Sequence, residues 1–124
     1  MTAITARTRT AAHRRALPIA AQDLSTELSR VLGRQLVAFI VGKDARTIQR
    51  WAAGTTKPAA AEERRLRDTY QVYLTLSAVE GDHTIRAWFM GMNPQLDDES
   101  PAEVIAAGRA REAMAAARAF AAGG

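Results

Sequence analysis

Cysteine is absent from this 124-residue chain, which excludes disulfides, thiolate metal sites and cysteine nucleophiles. Histidine occurs twice: His13 lies in a basic leading segment and His83 at the start of an expected helix, where a capping or surface role is preferred to catalysis. Aromatic residues make up only 6%. No apolar run approaches the roughly 18 residues that a membrane span requires, and Met1 to Leu17 lacks the apolar core of a signal peptide. Neither a phosphate-cradling glycine loop nor a nucleophile elbow occurs. Asp97, Asp98 and Glu99 are three adjacent acids, without the spacing of a calcium loop. These absences lead us to expect a non-enzymatic, cytoplasmic protein with no cofactor, no metal and no membrane partner.

The composition that is present points to helices. The chain is 48% hydrophobic and 24% charged, ordinary for a globular protein, and its aliphatic share leans on alanine, the strongest intrinsic helix former. The length suits one compact domain, or one with a small appendage. A core of that size is marginal alone, so a partner subunit is plausible. The net charge is +4 and unevenly spread. Arg7, Arg9, Arg14 and Arg15 precede Pro18 with no acidic residue among them, a second basic group surrounds Arg46, Arg50 and Lys57, and the acidic cluster at Asp97 to Glu99 comes late. That asymmetry fits a polyanion on one side and a different partner on the other.

Along the chain, residues 1–18 show no sustained hydrophobic period and are expected to form a flexible basic arm; a transit-like sequence is the less favoured reading. Leu24, Leu28, Val31 and Leu32 recur on one helical face, closed by Gly33. Gln35 to Val41 reads as a second helix, and Ala45 to Trp51 as a third with Asp44 as N-cap. A loop marked by Gly54 and Pro58 follows, then a long helix over Ala59 to Val79 with its acids placed early, as the dipole prefers. Gly81 ends it. Asp82 or Thr84 is expected to cap the next helix, which carries Ile85, Trp88 and Phe89 and breaks at Asn93-Pro94. Ser100-Pro101-Ala102-Glu103 is a capping box with proline at the first helical position. A short helix to Ala107, Gly108 and an alanine-rich helix from Arg109 to Ala122 complete an all-α chain: a helix-turn-helix bundle over residues 19–80 and a small helical domain over 81–124.

The segment from Arg34 to Trp51 meets the steric demands of a helix-turn-helix. The first helix needs a small residue at the crossing, the turn needs a residue tolerant of a left-handed backbone, and the second helix needs an inward apolar pair three residues apart. Ala38, Gly42 and the pair Ile48 and Trp51 supply these. Ala45, Arg46, Gln49 and Arg50 then face outward, flanked by Thr47. Arginine pairs bidentately with guanine and glutamine with adenine; Lys43, Thr55 and Lys57, in the adjoining loops, suit phosphates. The basic arm either reaches an adjacent minor groove or stays a disordered tail. Operator palindromes accompany two-fold protein symmetry, so a homodimer on operator DNA is expected.

The segment RQLVAFIVGKDARTIQRWAAGTTKP, Arg34 to Pro58, resembles the helix-turn-helix of Xre-type regulators. The later segment from Thr84 to Gly124 resembles the toxin-binding domain of Xre/MbcA/ParS-type antitoxins. Trp88 with Phe89, the Asn93-Pro94 break, Leu96, Ser100-Pro101, Val104-Ile105, Gly108 and a last helix running to the chain end carry this likeness. The resemblance implies a cognate RES-domain toxin that consumes NAD, an active-site entrance covered by the C-terminal end of the antitoxin, and a complex that represses its own operon. The residues expected at the toxin are Trp88, Asn93, Arg109, Arg111, Met114, Ala117, Arg118, Phe120, Gly123 and Gly124. On the residues alone, Trp88, Phe89 and Met90 read first as core. Ala113, Met114, Ala117 and Phe120 exceed what a small core is expected to absorb, which makes the last helix an interface candidate with Phe120 as anchor; packing on its own domain is the alternative. A stand-alone helix-turn-helix regulator whose C-terminal domain only dimerises is the alternative function, and a pure protein-interaction module a third.

Overall fold

The computed structural model describes residues 19–123, so the basic arm with Arg7, Arg9, Arg14 and Arg15, and Gly124 at the other end, lie outside the described residues. Among the described residues the structure is all-helical: α1 (Ala21–Leu32), α2 (Arg34–Val41), α3 (Ala45–Ala53), α4 (Ala60–Ser77), α5 (Asp82–Met90), a 3-10 turn (Pro94–Leu96), α6 (Pro101–Ala106) and α7 (Ala110–Ala121).

Local chemistry sets these boundaries. Gly33, at φ +85°, both terminates α1, through its N–H to the Ser29 carbonyl (2.9 Å), and precedes α2, so the second helix begins at Arg34, one residue earlier than its apolar run suggests. Ser25 is buried on α1 and is satisfied by donating to the Ala21 carbonyl at 2.8 Å. At the start of α4 the Glu62 carboxylate accepts the Ala59 N–H at 2.9 Å, half of a capping box whose other half an alanine cannot supply. Ser100 makes the full box: the Glu103 N–H donates to Ser100 Oγ at 3.1 Å and the Ser100 N–H to Glu103 Oε1 at 3.0 Å, with Pro101 opening α6.

The expected cap of α5 is corrected. The helix starts at Asp82 from an extended Gly81, with no side-chain cap. The Asp82 carboxylate instead receives the Arg30 guanidinium at 2.7 Å and the Tyr73 hydroxyl at 3.2 Å. Long-range partners on α1 and α4 take precedence over a local cap there.

Packing joins the segments on either side of residue 80. Leu24, Leu28 and Leu32 of α1, Val37 and Ile40 of α2 and Leu66 and Leu76 of α4 form one buried cluster with Ile85 and Phe89 of α5, Val104 and Ile105 of α6 and Ala113 and Ala117 of α7. Helix α5 lies against α1, α6 against α2, and α7 along α4. Ala113, Ala116 and Ala117 are fully or almost fully buried. The expectation that the apolar side of the last helix exceeds what the core absorbs is therefore corrected for Ala113 and Ala117, whose small side chains let α7 approach α4 closely, while Met114 and Phe120 stay half-buried.

Candidate nucleic-acid and partner interfaces

The α2–turn–α3 unit is built by sequence-local means. Gly42 sits in the left-handed region at φ +73° and ψ +35°, where only glycine escapes steric cost. Its N–H donates to the Phe39 carbonyl (3.3 Å) and the Lys43 N–H to the Ala38 carbonyl (2.9 Å), the paired closure of a Schellman end. Asp44 then caps α3: its carboxylate accepts both the backbone N–H and the hydroxyl of Thr47, each at 2.8 Å. Those hydrogen bonds, with Arg50 and Arg46 nearby, hold the Asp44 carboxyl below the usual carboxylate range. Ile48 and Trp51 are buried against the rest of the bundle, and Ala38 of α2 is buried as well.

With those two side chains inward, Arg46, Gln49 and Arg50 are exposed on the outer side of α3, and Ala45 is half-buried beside them. Thr55 and Lys57 are exposed in the loop that follows. Two sequence candidates are already engaged. The Thr47 hydroxyl belongs to the cap, and Lys43 pairs with Glu62 at 2.8 Å. That contact raises the lysine and, together with the Ala59 N–H, lowers the glutamate. Lys43 therefore helps to tie the turn to the start of α4.

An open cleft beside α3 is lined by Arg34 and Gln35 of α2, Ala45, Arg46 and Gln49 of α3, and Arg86 of α5. Arg34 and Arg86 are not among the candidates read from the sequence. Arg34 has a local signal: it opens a helix with no side-chain cap and no acidic residue in its first turn. A cation there opposes the helix dipole by about 0.3–1 kcal/mol. Arg86 has no local signal, since only the packing of α5 on α1 brings it to this face.

A second surface lies on the far side of α5. Trp88 meets Phe89 edge-to-face at 5.3 Å and Phe120 of α7 at 6.4 Å. The two half-buried aromatics form a groove with Met92, Asn93, Pro94 and Gln95; Met92 is 80% exposed. The Asn93 side chain accepts the Gln95 N–H at 2.9 Å and so caps the 3-10 turn. Its place at the groove wall is accompanied by a structural duty.

The other expected toxin contacts divide. Arg111 and Arg118 are exposed, and Gly123 is exposed at the end of the described chain. Met114 is half-buried, its sulfur accepting the Thr75 hydroxyl at 3.5 Å. Arg109 is not a free cation: it pairs with Glu99 at 2.6 Å and Glu112 at 3.2 Å, holding the acidic loop to α7. Ala117 is 0% exposed and has no surface to offer a partner, which corrects its place among the contacts. Gly124 lies outside the described residues. No group of three or more potential metal-ligating His, Cys, Asp or Glu side chains is present among the described residues, and no helix among them is long and apolar enough to cross a membrane.

No protein-family model matches the chain, and no curated protein matches it. Among solved structures it is similar to a chain in the crystal structure of the M. tuberculosis MbcT-MbcA toxin-antitoxin complex, with a TM-score of 0.73 and 26% sequence identity, covering 86% of this chain and 97% of that one.

Proposed function

We propose that this chain is the antitoxin of a toxin-antitoxin pair, that it binds and neutralises a RES-type, NAD-consuming toxin through residues 81–124, and that as a homodimer it represses its own operon through α2 and α3. The observation that carries the antitoxin reading is the near-full-length likeness to a chain of a toxin-antitoxin complex. The resemblance of the segment from Thr84 onward supports the toxin class. Two features support the DNA reading: a turn closed by left-handed Gly42 and the exposed row Arg46, Gln49 and Arg50 on a helix whose other side is buried. The chain acts by binding, not by catalysis. The 80/81 division is then one of surfaces, laid over a shared core.

The toxin docks on the Trp88–Phe120 groove, where two aromatics and the exposed Met92 offer apolar area beside a polar rim. Co-expression with the neighbouring gene, followed by growth measurement and affinity capture of the full chain, tests the proposal. A toxic neighbour that is captured and rendered harmless supports it. A harmless, uncaptured neighbour, with upstream DNA still bound, would instead support the stand-alone regulator.

A further inference from the structure

We infer that Arg86, on the helix that begins the toxin-facing segment, is a DNA-backbone contact, forming with Arg34 the phosphate-binding side of a cleft whose other side is the base-facing Arg46 and Gln49 of α3; this rests on the DNA-binding reading above.

Arginines from three different helices line this one cleft: Arg34 at the start of α2, Arg46 in the first turn of α3 and Arg86 in the middle of α5. All three are exposed, and none is in an ion pair among the described residues. By contrast Arg30, Arg67, Arg109 and Lys43 are each matched to a carboxylate within 2.6–2.8 Å. The cleft walls add the side-chain amides of Gln35 and Gln49 and no carboxylate. The Arg86 guanidinium lies over Gly33, where an added Cβ would sit 3.1 Å from one of its terminal nitrogens.

The position selects phosphate over base. When the second helix of such a unit enters the major groove, the first crosses the backbone. Cations beside the N-terminus of that first helix therefore face the sugar-phosphate strand. The first turn of α2 also points free backbone N–H groups and the positive end of its dipole the same way. A duplex phosphate is the matching ligand, and base sequence is immaterial to it.

The test measures binding of the full chain, and of Arg86→Ala and Arg86→Lys, to two duplexes over a salt series: the DNA immediately upstream of its own coding sequence, and an unrelated duplex of equal length. Arg86→Ala is expected to weaken both by the same factor, about eightfold at 0.1 M salt, and to make the negative slope of log affinity against log salt less steep by about 0.9. Arg86→Lys is expected to recover most of both, because a point charge suffices for a phosphate. If the native chain binds DNA and Arg86→Ala leaves affinity and slope unchanged, the inference is wrong while the DNA reading stands. A loss confined to the upstream duplex would make Arg86 a base reader and overturn the phosphate assignment. If the native chain binds neither duplex, the DNA reading fails and takes the inference with it. A melting curve of each variant guards against misfolding; Arg86 is exposed and unpaired, so none should shift.

Discussion

Ile85→Val tests whether residues 19–80 and 81–124 fold as one body. Ile85 is 1% exposed on α5 and shares a cluster with Leu28 and Ile40. Removing its terminal methyl from a closed core costs about 1 kcal/mol. With a urea dependence of about 2 kcal/mol per molar, suited to a small protein, the unfolding midpoint should fall by about 0.5 M. The chain carries its own reporters: Trp51 on α3 and Trp88 on α5 are its two tryptophans. Trp51→Phe and Trp88→Phe variants each leave a single tryptophan, Trp88 in the later segment or Trp51 in the earlier one. Against each single-tryptophan parent, Ile85→Val should lower both midpoints equally, because the lost contacts stabilise a cooperative unit that includes both reporters. A shift at Trp88 with none at Trp51 would show that the cluster is two cores in contact and would refute this reasoning.

Replacing Ala117 by leucine forces extra carbons between α7 and α4 and should cost about 2 kcal/mol, or roughly 8 °C in melting temperature; the same change at exposed Ala115 should stay within about 0.5 kcal/mol. Phe120→Ala should lower toxin affinity by about 2 kcal/mol or more, near thirtyfold in a titration, while DNA affinity stays put; an unchanged toxin affinity would move the docking site off the groove. Glu62 supplies a pH dependence with a defined sign. Lys43 and the Ala59 N–H lower its folded-state value below the ordinary 4.5, so its contribution is complete above that value and is lost as pH falls through the folded one. Melting temperature should therefore drop on acidification below about 4.5, and Glu62→Gln should remove part of that drop; an equal drop in both proteins would contradict the assignment.

Helix positions were legible in the sequence wherever local chemistry decides them. Gly33, the Gly42–Asp44 turn and Ser100-Pro101 carry their instructions in adjacent residues, and observed boundaries fall within about two residues of the expected ones. The burial of Ile48 and Trp51 was likewise readable from spacing. What was not readable depends on residues distant in the chain. Asp82 reads as a cap until Arg30 and Tyr73 arrive from other helices. Lys43 and Arg109 read as free cations until Glu62 and Glu99 pair with them. Ala117 reads as surplus apolar surface until α4 lies against it. Arg86 carries no local signal at all. Helical periodicity reports a side's polarity, not its neighbour, so buried alanines and partnered charges are where it misleads.

Helix α5 shows how two such surfaces can share a small chain. At 3.6 residues per turn, successive residues step about 100°, so Arg86 and Trp88 point roughly 200° apart. Between them Ile85 and Phe89 turn inward and are buried. The arginine lies toward the α1–α2 joint, and the indole toward Phe120 on α7. A ligand on either side meets a different set of side chains, so charge complementarity to DNA places no demand on the apolar groove. Any movement of α5 to favour one ligand would have to drag Ile85 and Phe89 through a close-packed interior, which resists displacement of even a methylene. The helix is therefore a rigid divider: under the proposed function, toxin and DNA occupy opposite sides without competing for residues, and the complex that holds the toxin keeps its cleft for DNA.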